Sequence, residues 1–220
     1  MTTLHALITP SRSSLLTMAL LITSAVPALA GPPLICHPFD IGTAQSLPFG
    51  NTSEGWRGWQ ATLPSYDRSK LVDDTLALLT PKTPVIVRME TLRRASAYSV
   101  DDRALATRLL AALEARTTRT PRTAAEGLTS FDYGYLVETY RQLGQRGVTV
   151  KATIDGVDGY ALVKAAMAQM PDDAGLQFAA ALITESPATR AQHSAHLQRA
   201  REMARADALV ARNVATHFAN

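Results

Sequence analysis

From Asp67 to His217 the chain repeats one arrangement, a run of apolar residues at helical spacing followed by a proline or glycine that ends it. Val72, Leu76 and Leu79 share one face of a first run, which stops at Thr80-Pro81, because the residue before a proline is pushed out of the helical region. Thr83-Pro84 restarts the pattern, with Thr83 placed as an N-cap and Pro84 at the first helical position, where a missing N–H costs nothing. In "VIVRMETLRRASAY", residues 85 to 98, the residues Val85, Met89, Leu92 and Ala95 form one stripe. Glu90 stands three and four positions before Arg93 and Arg94, the spacing at which opposite charges meet on a helix.

The same reading continues to the C-terminus. Ser99-x-x-Asp102 has the form of a capping box and opens a helix with Leu105, Leu109 and Ala112 aligned. A Thr/Arg-rich link around Pro121 interrupts it. Thr129-x-x-Asp132 then opens a helix bearing Tyr133, Leu136, Val137 and Tyr140, which ends at Gly144 or Gly147. Val148, Val150 and Ala152 alternate with polar residues, but a lone short strand would have no partner, so 147–159 is expected to be an irregular loop. Tyr160, Val163, Met167 and Met170 mark the next helix, stopped by Pro171; Leu176, Ala179, Ala180 and Ile183 mark another, before Ser186-Pro187. One long alanine-rich helix is expected from about Ala188 to His217. Such helices, joined by short turns and rich in small residues that let them approach closely, give an all-α chain. It is built as stacked helical hairpins, either as a solenoid or as an irregular helical bundle.

The N-terminal third differs. Residues 1–30 carry Arg12 and no acid, an apolar run "LLTMALLITSAV" and the small-residue site "PALA", the pattern of a secretory signal peptide cleaved after Ala30. The apolar run is well short of the roughly 20 residues that span a bilayer, and no later segment approaches that length, so no transmembrane segment is expected after signal removal. The expected location is exported, periplasmic or secreted. Residues 31–66 show little periodicity and read as a loop-rich, extended strap, leaving 67–220 as the helical domain. In "LICHPFDIG" no helical spacing explains Leu34, Ile35, Phe39 and Ile41, so the strap is expected to press them against the first helices. Cys36, the only cysteine, has no intrachain partner for a disulfide and is expected inside that contact.

Charge bounds the partners. The formal net charge is +3, and loss of Arg12 with the signal leaves +2, which is no footprint for nucleic acid. There is no Gly-rich phosphate loop, no G-x-S-x-G elbow and no Cys-x-x-Cys pair, so the enzyme classes with local signatures are disfavoured and no catalytic residue or cofactor is assigned. His193-x-x-His196 places two imidazoles on one helix face, the weak candidates for a metal ion, but the set lacks a third ligand and has Arg190, Arg199 and Arg201 around it. Cys36 and His37 are adjacent, and neighbours in sequence point apart, which disfavours a nucleophile–base pair. "DGVDG" at 155–159 has Val157 where a calcium loop needs its second oxygen ligand, so its glycines read as turn formers. Trp56 and Trp59 either contact a sugar or peptide or pin their loop to the core.

Tyr133-x-x-Leu136-Val137-x-x-Tyr140 resembles the first helix of a tetratricopeptide repeat, and Gly159-x-x-x-Val163-x-x-Ala166-x-x-x-x-Pro171 resembles its second helix and closing proline. The unit departs from the family at Val137, where glycine is usual, and in the loop from Gly144 to Gly156, which makes it about ten residues too long. The resemblance implies a concave surface that binds a protein or peptide, with Tyr133 and Tyr140 as contact residues and no catalysis of its own. An exported interaction scaffold is therefore the expected function. The alternative is a small exported enzyme whose site is assembled from distant residues. Protein purified from its host's envelope or medium is expected to begin at Gly31, by N-terminal sequencing or intact mass; a chain that begins at Cys36 with added lipid mass would contradict the signal reading.

Overall fold

The computed structural model describes residues 34–50, 61–118, 121–144 and 154–218. They form eight α-helices and no strand: α1 (Leu71–Leu78), α2 (Val85–Ser99), α3 (Arg103–Glu114), α4 (Ala124–Gly144), α5 (Gly159–Gln169), α6 (Ala174–Ile183), α7 (Arg190–Met203) and α8 (Ala208–His217). Short 3-10 turns precede α1, α7 and α8. The signal segment, Trp56 and Trp59, and the alternating residues 148–152 lie outside the described residues.

Helix α2 is the axis of the molecule. It packs on α1, α3, α4 and α6, and every residue in it except Arg94 is buried. The expected stripe of Val85, Met89, Leu92 and Ala95 is in the core, and the polar face, whose burial the spacing does not predict, is covered too. The cover is the strap. Leu34, Ile35, Cys36, Phe39 and Leu47 are all buried, and the backbone between them is held by α2's charged side chains. The Phe39 N–H donates to Glu90 Oε2 at 3.0 Å, and the Leu47 carbonyl accepts from Arg94 at 2.6 Å. Glu90 meets both Arg93 and Arg94, as the spacing predicts, but in the interior. The strap also reaches beyond the first helices: the Leu34 N–H donates to Gln142 on α4, and Asp40 is joined to Asn213 and Arg212 on α8.

Four local expectations are revised by the hydrogen bonds. Thr83 does not cap α2; its hydroxyl donates to the Leu78 carbonyl and closes the α1–α2 turn, while Pro84 occupies the N-cap. Ser99 is the last residue of α2 and bonds Tyr140, while Asp102 caps α3 through the Leu105 N–H. Helix α4 begins five residues before Thr129, at Ala124, because Thr123 accepts the Glu126 N–H and the Glu126 carboxylate accepts the Arg122 N–H in return. The long C-terminal helix is broken at Ala204–Ala206, where Asp207 accepts the Leu209 and Val210 N–H groups and starts α8. That break lets α8 fold back onto the strap.

Helices α4 and α5 form an antiparallel pair at unusually close range. A Cβ on Gly134 would lie 2.6 Å from the Gly159 carbonyl oxygen, and one on Gly159 would lie 2.5 Å from that of Gly134, so neither position tolerates a side chain. Further down the pair, Gly127 faces Ala166 and Gln169. On the other side of α4, Asp132 forms an ion pair of 2.6 Å with Arg88 of α2, both side chains 1% exposed. Arg88 also donates to the carbonyls of Thr80 and Thr83, so one guanidinium joins the α1–α2 turn to α4. Removing one partner of such a pair leaves the other charge buried without compensation, which costs about 3–5 kcal/mol. Asp132→Ala is therefore expected to lower unfolding free energy by about that amount in urea denaturation at pH 7; a loss under about 1 kcal/mol would show that the pair carries little of the α2–α4 contact.

Candidate functional site

A groove of about 490 Å³ opens where the C-terminal end of α3, the middle of α4 and the start of α5 meet. Glu114 and Thr117 form one wall, Asp158, Ala161 and Leu162 the other, and Tyr133 lies between them. Each wall is fixed by the fold. Gly156, at φ +83°, turns the chain into α5, and Asp158 caps that helix by accepting the Ala161 N–H at 2.8 Å. Arg141 donates to the Val157 carbonyl at 2.6 Å and pairs with Glu138, which in turn accepts the Tyr160 N–H. The turn before α5 is thereby tied to α4. On the opposite wall Arg116 donates to the Leu79 carbonyl and secures the end of α3.

Tyr133 is 6% exposed, and its hydroxyl makes no hydrogen bond to any described residue. Burial pushes its phenol pKa up, and the negative charge of Glu114 adds to the shift. The ring therefore stays protonated at neutral pH, a neutral donor and acceptor held at the base of the groove. Tyr140, the other aromatic residue expected at a binding surface, has no exposed surface; its hydroxyl shares a 2.5 Å hydrogen bond with Ser99 and burial raises its pKa. The structure thus separates the two tyrosines, one lining the groove and one in the core.

The two histidines proposed for a metal are held by protein groups. His193 Nδ1 bonds the Ala181 carbonyl, while His196 is bonded at Nδ1 by Gln177 and at Nε2 by the Tyr160 hydroxyl at 2.6 Å. Burial lowers the His196 pKa, with the charges of His193 and Lys164 acting the same way. Both ring nitrogens of His196 are used to fasten α7 to α5 and α6.

Three more sites carry perturbed groups. At the strap, the His217 ring stacks on Phe39 with centroids 4.9 Å apart and meets Phe178 and His37 edge-on. A recess of about 310 Å³ lies where α2, α6 and α8 begin, but Asp173 and Asp207 there cap α6 and α8, so the positive ends of those helices are already met. Asp132 is buried with Arg88, and burial lifts its carboxyl to about 6 against the pull of Arg88.

Sequence reasoning placed Tyr133 at a surface and missed the walls around it. Glu114 carries no local signal at all, being one acid at a helix end. Asp158 stood in a segment read only as a turn. Comparison with protein-family models, with curated proteins and with solved structures finds no match to this chain.

Burial is the largest cause lowering the His217 pKa below its ordinary 6.5; the charge of His37 acts the same way, while the Asn213 carbonyl, the His37 backbone and Glu90 oppose it. The folded chain then holds fewer protons at His217 than the unfolded one, so this contribution is complete above pH 6.5 and is lost as pH falls through the lowered value. Asp132 acts in the opposite direction, its raised pKa favouring the folded state as pH drops below about 6. Comparison with His217→Phe separates them, since phenylalanine keeps the ring stack and removes the titration. The melting temperature of His217→Phe minus that of the parent should rise steadily from pH 7.5 to pH 5, about the span in which a histidine titrates; a difference independent of pH would mean that the strap does not sense this ring's charge.

Proposed function

We propose that this chain is an exported interaction protein that holds a protein or peptide partner in the groove above Tyr133. One observation carries the reading: Tyr133, a residue only 6% exposed, lines the groove with a hydroxyl that no described residue hydrogen-bonds, so its donor and acceptor capacity is left to whatever enters. The frame behind it supports the same reading. The α4–α5 pair, the Arg141 clamp and the capped start of α5 hold the two walls in place before any partner arrives, which lowers the entropy lost on binding. The same two helices carry the resemblance to a tetratricopeptide repeat, whose members bind peptides on packed helical pairs. The signal-like residues 1–30 support an encounter outside the cytoplasm.

A photo-crosslinking amino acid at Ala161, on the exposed lip of the groove, tests this in the host envelope, with the same residue at Arg199 on α7 as the control position. A discrete covalent adduct with one protein is expected at Ala161, absent at Arg199 and lost when Leu162→Arg fills the groove. The same adducts from both positions, or none at Ala161, would overturn the assignment of the groove as the binding site.

A further inference from the structure

The charges around the Tyr133 hydroxyl say what the partner presents. Among the described residues lining the groove there are two acids, Glu114 and Asp158, and no lysine or arginine. Three cations on the surrounding described elements are committed elsewhere: Arg116 to the Leu79 carbonyl, Arg141 to Glu138 and the Val157 carbonyl, and Lys164 over the Tyr160 ring at 4.8 Å. In a chain with an overall formal charge of +3, the described lining of this groove is thus acidic. Asp158 uses Oδ1 as the cap of α5, and its carboxylate offsets the positive end of that helix, which would otherwise repel a cation. Glu114 is exposed, and its carboxylate makes no hydrogen bond to a described residue.

We infer that the groove receives a basic side chain, an arginine or lysine of the bound protein, with its alkyl stem against Ala161 and Leu162 and its head between Glu114, Asp158 and the Tyr133 oxygen. This inference rests on the proposed function and names the chemistry of its partner. Three acceptors suit the donors of a guanidinium or ammonium, and hydrogen bonds to charged groups are about twice as strong as neutral ones. The two carboxylates compensate the loss of hydration that a buried cation suffers. An acidic partner side chain meets the opposite conditions and is excluded by the same two charges.

The probe is Nα-acetyl-arginine amide, titrated into the purified protein and followed by the backbone amide signals, with Nα-acetyl-citrulline amide as the uncharged isostere. Signals of Val157, Asp158 and Ala161 should shift with arginine, and affinity should be at least about tenfold weaker for citrulline and should fall as salt rises, since the pair is screened. Asn caps a helix as well as Asp does, so Asp158→Asn removes charge without removing the cap. The double variant Glu114→Gln/Asp158→Asn should lose about tenfold in arginine affinity while melting as the parent does, and Tyr133→Phe should lose a few-fold. Equal binding of citrulline and arginine, shifts that map elsewhere, or unchanged affinity in the double variant would overturn the inference. A crosslinked partner at Ala161 combined with no arginine binding would refute the basic side chain and leave the interaction reading standing. Arginine binding with no crosslinked partner would refute the interaction reading instead.

Discussion

The Glu90 carboxylate accepts four hydrogen bonds in the interior, two on each oxygen: Oε1 from Arg93 and Arg94, Oε2 from Arg93 and from the Phe39 backbone. Burial alone would raise its pKa, but the two guanidinium groups hold it below the ordinary carboxylate value. This arrangement exists because an irregular strap, unlike a helix, brings unpaired backbone groups into contact with whatever it covers. The strap's Phe39 N–H and its Ile35 and Leu47 carbonyls all find partners on Glu90, Arg93 and Arg94. An apolar face on α2 would have packed as well and left those groups unsatisfied. The charges on the central helix are thus a consequence of what lies over it.

The other half of the frame depends on the absence of side chains. Gly134 and Gly159 let α4 and α5 touch through their backbones, and Glu138 lies against the same contact, accepting the Tyr160 N–H while paired with Arg141. On its far side α4 is joined to α2 through Arg88 and Asp132, and at its C-terminal end to the strap through Gln142. One helix therefore joins the strap to the groove: its inner face is fixed by the Arg88–Asp132 ion pair, its outer face by glycine contact.

The fold class could be read from the sequence because helices of this kind announce themselves locally, through periodic apolar residues and through Pro and Gly at their ends. The packed strap could be read as well, since Leu34, Ile35 and Phe39 had no other place to go. What could not be read was everything set by distant residues. Arg88 and Asp132 are separated by 44 positions, and Asp132 has the same letter whether it caps a helix or sits inside one. Tyr133 and Tyr140 sit seven positions apart on one helix, the same spacing that suggested a shared face, yet one borders the groove and the other meets Ser99. Helical drift over two turns and the neighbours on each side decide between them, and neither is written in the spacing.

Three buried polar atoms among the described residues make no hydrogen bond: Asp132 Oδ1, the Tyr135 hydroxyl and His217 Nε2. Each is sealed. Asp132 and Tyr135 lie wholly inside the α2–α4 contact, and His217 is roofed by Phe39, so their unmet capacity is a fixed cost of the packing. The Tyr133 hydroxyl differs in that it borders open volume and two carboxylates face the same space. An unmet group in the core has only the protein to answer it, and there mutation to an apolar residue of similar shape relieves the cost. An unmet group at the base of an open groove is answered by whatever enters. That distinction, rather than the presence of a tyrosine, is what makes the junction of α3, α4 and α5 a binding site.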